Sequence, residues 1–312
     1  MNDPEILSTP HGDGLPLPVR HGVNWRALYG AASQSYRARQ LSSKAPRRRG
    51  ARGRLVRVRA RPGSGPRCRF RSDDEVEVVQ RLGSRLGSHY AMSVYPFLDG
   101  QSFPFGPHTD QDRRAELIGM VAALHASTET LAVRPPDQDP TIGARGDLEM
   151  MLHEPDRPWP AGPFSERSRS LIVPQVGKLR AAVAGFDRMV ATRPRSVRVV
   201  THGEPHAANT IRVGGRLMLI DWDTVGMADP ERDLWLVAPD GDAEIARYTD
   251  ATRNVLDPNL MMLYRLRFLL GDIARTVRIF RRPHGRTADT QHWWEGLRHL
   301  LDALDSWRDI DS

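Results

Sequence analysis

Cysteine occurs once, at Cys68, and lysine twice, at Lys44 and Lys178, in a chain of 312 residues. A single cysteine excludes an internal disulfide and, with it, the small disulfide-framed secreted scaffolds, so a reducing compartment, the cytoplasm, is the expected location. No apolar run approaches the roughly 20 residues of a membrane span. The first twenty residues carry Asp3, Glu5 and Asp13 and lack the apolar centre of a signal peptide. The chain is therefore read as soluble, without a membrane partner, and long enough to bury a sizeable core in one large or two ordinary domains.

Acidic residues are missing from one interval. Residues 41–71 contain eleven arginines and Lys44 but no Asp or Glu, so that segment carries +12 and, with +7 for the whole chain, the rest is net acidic at −5. Neither an aromatic platform nor a binding motif accompanies the charge, which disfavours a nucleic-acid partner. Blocks of like charge without periodic apolar residues bury little surface to offset the ordering cost, so the block is expected to be poorly ordered. Its Arg, Gly, Pro and Ala content is what a GC-rich coding region yields when read out of frame, which predicts a segment foreign to its surroundings.

Chemistry concentrates between Val199 and Leu236, VVTHGEPHAANTIRVGGRLMLIDWDTVGMADPERDLWL. Val199 and Val200 read as a short buried strand entering a loop that holds His202, Glu204, His206 and Asn209. TIRV and RLML then flank Gly214-Gly215, a pair suited to positive φ at both positions of a tight hairpin. With that turn, Val213 faces Arg216 and Asn209 falls opposite Ile220, so Asn209 and Asp221 emerge side by side with Glu204 near the same point. Two carboxylates and an amide oxygen suit magnesium, which takes one or two carboxylates and leaves phosphate oxygens and water to complete its shell. Glu204 is then placed to orient an attacking hydroxyl or accept its proton. A zinc site from His202, Glu204 and His206 is disfavoured, since the spacing fits no common ligand pattern and Pro205 prevents a helix from aligning them. His206 is read as a loop-bracing residue.

His-Gly-Glu, four residues, Asn209, and Ile-Asp-Trp-Asp after a hairpin resemble the aminoglycoside phosphotransferase-like branch of the protein-kinase-like fold, with Glu204 where the family carries aspartate. The resemblance implies an α+β, two-lobed protein-kinase-like fold: a small β-rich N-lobe over residues 1–98, incomplete in its motifs, and a larger helical C-lobe over 99–312. It implies a catalytic role for Glu204, magnesium ligation by Asn209 and Asp221, and loop support from His202 and Asp233. ATP would be held near Gly30 at its phosphates and by the segment of Tyr95, Phe97 and Leu98 at its adenine. The phosphate-pairing lysine has no counterpart; the strand-like run at 53–60 offers Arg57 or Arg59 instead. The implied activity is ATP- and magnesium-dependent phosphoryl transfer to a hydroxyl of a small-molecule acceptor: aminoglycoside-like, amino alcohol or sugar. The alternative is a catalytically impaired pseudo-phosphotransferase with a defective N-lobe. Asp242, Glu244 and Asp272 are candidates to face a cationic acceptor.

Elsewhere, residues 22–39, EVEVVQRL and YAMSVYPFLDG read as strands. Leu117, Met120, Val121 and Leu124 mark a helix ending at His125, and residues 133–163 read as a long surface connection. Ile172 to Val190 reads as a helix kinked near Pro174 that packs beneath the catalytic loop. Further apolar stripes run from Leu263 to Phe280 and from Trp293 to Leu304.

Overall fold

The computed structural model describes residues 54–60, 90–96, 99–194, 196–238 and 242–307. The strand alternation at 53–60 is realised as β1 (Arg54–Ala60), antiparallel to β2 (Tyr90–Pro96), with Arg57 opposite Ser93 and Leu55 opposite Tyr95. β1 lies inside the arginine-rich block, whose other positions fall outside the described residues. The strands expected within 22–39 and at EVEVVQRL also fall outside them.

After β3 (Gln101–Ser102) the described chain is mainly helical: α1 (Gln111–Ala126), α2 (Arg145–His153), α3 (Ser165–Ile172), α4 (Val176–Ala191), α5 (Glu231–Val237), α6 (Asp242–Thr252), α7 (Pro258–Phe280) and α8 (Ala288–Ser306). Between α4 and α5 lie β4 (Val199–Thr201), the hairpin β5 (Thr210–Val213) and β6 (Arg216–Leu219), and β7 (Gly226–Ala228). Such a mixed architecture, with a small sheet part and a larger helical lobe, is the expected α+β kinase-like class.

α7 is the axis of this lobe. Asp257 caps it by accepting the Asn259 N–H, Pro258 occupies its first turn, and Leu263, Leu266, Leu270, Ile273, Val277 and Phe280 are all buried against α2, α4, α5 and α8. The second predicted stripe is equally buried: Trp293, Leu297, Leu300 and Leu304 lie on α8, whose start is fixed by a reciprocal Thr287–Thr290 capping box. In α1 the buried face centres on Ile118, Val121, Ala122 and His125, with Met120 and Leu124 at its margin.

Two expectations are corrected here. Pro174 does more than kink a helix: it divides the segment into α3, a 3-10 turn at Val173–Gln175, and α4, because proline lacks the N–H that would continue the ladder. α4 packs on α2, α7 and α8, while β4, which feeds the loop from His202 to Asn209, rests against α1. The stretch 133–163 is no mere surface connection either, since it contains α2, which buries Leu148, Met151 and Leu152 against α7, and Ile142 and Trp159 are buried beside it.

Candidate functional site

β4 and β7 pair antiparallel, Val199 opposite Ala228 and Thr201 opposite Gly226, and the Thr201 hydroxyl donates to the Gly226 carbonyl at 2.8 Å. The chain leaves this two-strand platform at His202 and turns at once, with Gly203 at φ 95°. Only glycine fits there. A Cβ on Gly203 would lie 2.4 Å from Nη2 of Arg232, whose guanidinium donates to the Thr201 hydroxyl at 2.6 Å and to the Thr224 carbonyl at 2.7 Å.

Asp233, in the first turn of α5, holds the loop from beneath. Its carboxylate accepts the backbone N–H of His202 at 2.8 Å and of Gly203 at 2.6 Å, and a third bond from His125 Nε2 at 3.1 Å. His125 in turn meets the Tyr248 hydroxyl through Nδ1 at 2.7 Å. Burial pushes the Asp233 carboxyl up, but the His125 bond and the charges of His125, His202 and Arg232 outweigh it and hold the group below the ordinary carboxylate range. Burial pushes the Tyr248 phenol up to about 12, so it acts as a neutral donor.

His202 is fully buried, and its bonds settle its tautomer. Nδ1 accepts the Glu204 N–H at 3.3 Å, so Nε2 carries the proton and donates to the Ile220 carbonyl at 3.0 Å. This ring joins the start of the loop to the end of β6. Desolvation lowers its pKa despite the nearby carboxylates, which keeps the ring neutral and the Glu204 backbone bond in place.

The hairpin register matches the sequence expectation. Val213 pairs with Arg216 and Thr210 with Leu219; Gly214 and Gly215 have φ of 55° and 82°, and the Ile220 N–H donates to the Asn209 carbonyl at 2.9 Å. Asn209 and Asp221 thus leave the open end of the hairpin from adjacent strands. The Asn209 amide nitrogen donates to the Glu204 carbonyl at 2.9 Å, which ties the two loop residues together. Asp221 adopts a left-handed conformation, φ 66° and ψ 58°, unusual for a residue with a Cβ and typical of places where a side chain must be aimed. Glu204 and Asp221 are half-buried, whereas Asn209 is buried.

Several contributors had no sequence signal. β3 adds to the hairpin through Gln101–Arg212 and Ser102–Ile211 pairs, and the Gly106 carbonyl accepts the Ala207 N–H at 2.8 Å. Phe105 packs on His206 at a ring separation of 4.3 Å, in keeping with a bracing role for that histidine. His108 is buried with Nε2 at 3.1 Å from the Thr210 hydroxyl, whose proton already goes to the Ala207 carbonyl, so the histidine is the donor; burial first, then the charges of Arg113 and Arg212, lower its pKa to about 4. Ile211 and Met218 pair across β5 and β6 and so share a face, with Met218 exposed.

The remaining sequence candidates divide. Tyr95 lies in β2, while Gly30, Phe97 and Leu98 fall outside the described residues. Of the acids considered for a cationic acceptor, Glu244 is bonded to Arg114 at 2.9 Å and Asp272 is buried within 3.5 Å of Arg275. Both therefore already face an arginine, and the Asp242 side chain is outside the described residues.

A loop braced this way beside a hairpin-borne Asn–Asp pair, on a helical lobe, defines the class of kinase-like phosphotransferases. The chain matches the phosphotransferase enzyme family (APH) over residues 39–263 and belongs to it. That span includes the arginine-rich block, so the family likeness does not stop at its edges. A curated relative, Protein StrN of Streptomyces griseus, is 28% identical over 238 residues, 72% of this chain and 68% of its own length. Among solved structures, spectinomycin phosphotransferase APH(9)-Ia with ADP and spectinomycin superposes with a TM-score of 0.53 at 14% identity, covering 70% of this chain and 73% of that one. Its AMP-bound complex gives 0.53 at 13%, covering 80% and 86%.

Proposed function

We propose that this chain transfers the γ-phosphoryl group of ATP to a hydroxyl of a small-molecule acceptor in the cytoplasm. The observation that carries the reading is the hairpin register, in which the Ile220 to Asn209 backbone bond sets the Asp221 and Asn209 positions side by side. Their donor set suits magnesium: one carboxylate, and one amide whose nitrogen is already committed to the Glu204 carbonyl, so that its oxygen is the end offered to a cation. Magnesium, when bound, neutralises charge on the phosphates. Glu204 orients the acceptor hydroxyl and takes its proton, and its backbone is held for this by His202 and, through the adjacent residues, by Asp233. The apolar face of Ile211 and Met218 beside Asp221 is a surface a nucleobase can cover. Solved neighbours carrying ADP and AMP support the nucleotide, and spectinomycin in one of them supports a hydroxylated small molecule as acceptor.

A second reading, an impaired pseudo-enzyme, is favoured by one observation: no lysine lies between Lys44 and Lys178, and β1 carries Arg57 and Arg59. Calorimetric titration with ATP analogues, with and without magnesium, followed by ATP-consumption assays, separates the two. Magnesium-dependent binding and turnover are expected, with Asp221→Ala abolishing turnover while melting close to wild type. Binding indifferent to magnesium, or unchanged in Asp221→Ala, refutes the assignment.

A further inference from the structure

Tyr248 on α6, His125 at the end of α1 and Asp233 on α5 are all buried, so three helices distant in sequence bring three polar side chains into one line. Each bond in that line has a direction. Asp233 is a carboxylate and only accepts, so the proton of the 3.1 Å bond sits on His125 Nε2. The Tyr248 oxygen receives the Asn254 amide at 3.4 Å, and among the described residues the one acceptor for its own proton is His125 Nδ1, at 2.7 Å. Nδ1 is therefore bare and the ring is the neutral Nε2–H tautomer. A phenylalanine would fill the same space as Tyr248, and the cost of burying the hydroxyl is offset only by the bond it makes. The line ends on the backbone that carries Glu204. Asp233 accepts the His202 and Gly203 N–H groups at 2.8 and 2.6 Å, and the Glu204 N–H donates to His202 Nδ1. Asn209 and Asp221 are placed by a different element, the hairpin, through the Ile220 to Asn209 bond.

We infer that Tyr248 is a positioning residue for phosphoryl transfer: its hydroxyl fixes the His125 tautomer that aims a proton at Asp233, and so holds the backbone from which Glu204 reaches the acceptor hydroxyl. The inference rests on the phosphotransferase reading above. Without the hydroxyl, the buried Nδ1 loses its donor and takes up a proton of its own. The resulting imidazolium draws on the charge of Asp233, and the bonds from that carboxylate to the His202 and Gly203 amides weaken. The hairpin positions of Asn209 and Asp221 do not depend on this line, so the acceptor side of the site is affected and the nucleotide side is spared.

The test uses the full chain labelled with nitrogen-15 in its histidine rings and backbone, at neutral pH. In the wild type the His125 ring should give the signals of the neutral Nε2–H tautomer, and in Tyr248→Phe those of a doubly protonated ring. Amide exchange at His202 and Gly203 should quicken in the variant by about fivefold or more, the factor usual for one buried hydrogen bond. Phosphate release from ATP and magnesium, with water standing in for the acceptor hydroxyl, should lose a similar factor in kcat. Nucleotide Kd, measured by titration, should stay within about twofold, because the two sides of the site are held independently. A wild-type ring protonated on Nδ1 overturns the inference whether or not the variant folds. So does a Tyr248→Phe protein with unchanged kcat and amide exchange, or one in which kcat and nucleotide affinity fall together, which marks the tyrosine as scaffold alone. Failure of the wild type to bind nucleotide or release phosphate would instead overturn the phosphotransferase reading, and the ring and amide signals would still decide whether Tyr248 holds the loop.

Discussion

Replacing Asp233 by Asn removes one charge and keeps the shape, and the geometry allows its cost to be worked out. Oδ1 accepts from Gly203 N–H, and Oδ2 accepts from His202 N–H and His125 Nε2. With the new amide nitrogen in the Oδ1 position it faces the Gly203 N–H; in the Oδ2 position it faces the His202 N–H. Either way a buried backbone donor loses its acceptor. Removing one partner of a buried charged network costs roughly 3–5 kcal/mol, which for a lobe of this size lowers the melting temperature by roughly 6–20 °C. Urea unfolding at neutral pH measures the difference, and titrating it tests the cause. Because the folded pKa of Asp233 is depressed, the unfolded chain binds more protons between the two values. Its contribution is therefore complete above the ordinary carboxylate range and is lost as the pH falls through the depressed value. Wild type and Asp233→Asn should thus converge in strong acid. A variant as stable as wild type at pH 7, or a gap that persists undiminished in acid, would refute the bracing argument.

Gly203→Ala should destabilise by about 2–5 kcal/mol, combining positive-φ strain with displacement of Arg232 from its two acceptors, whereas Gly214→Ala, in open space at the hairpin tip, should cost only about 1 kcal/mol; equal melting losses would contradict this. His108, neutral when folded because its pKa is lowered to about 4, makes stability fall as the pH drops from its unfolded value toward 4, on the order of 2 kcal/mol after allowance for screening. His108→Gln should flatten that slope in pH-dependent unfolding, and an unchanged slope would exonerate the residue. For Glu204→Asp, the shorter side chain should cut kcat about tenfold or more while leaving magnesium-dependent nucleotide binding intact, if the acceptor hydroxyl is placed for the longer reach; a rise in kcat would show the glutamate to be the poorer fit.

The hairpin was readable because its information is local: two adjacent glycines set the turn, and period-two counting from Val213 and Arg216 delivers Asn209 opposite Ile220. The helices were readable for the same reason, since Leu263 to Phe280 repeat on one face within a single element. The bracing of the site was legible only in part. Asp233 and His202 carry the family pattern, but the bond from His125 spans 108 positions of sequence and that from His108 spans 102, and no spacing rule reaches so far. Helix α2 escaped because nine residues with three buried apolar positions, flanked by proline and aspartate, resemble a loop in composition.

Among the described residues β6 pairs with one strand, β5, and Leu217 and Leu219 direct backbone groups away from it. Side chains meet two of these groups: Glu116 of α1 accepts the Leu217 N–H at 2.9 Å while also holding Arg212 at 2.7 Å, and the Trp222 indole donates to the Leu219 carbonyl at 3.1 Å. An edge occupied in this manner offers no template to an incoming strand, so the hairpin resists strand addition and the aggregation that follows from it. The protection is also positional: one plug, Trp222, directly follows Asp221 and the other grips both hairpin strands, so a foreign strand would have to dislodge the anchor of the Asn–Asp pair before it could bind.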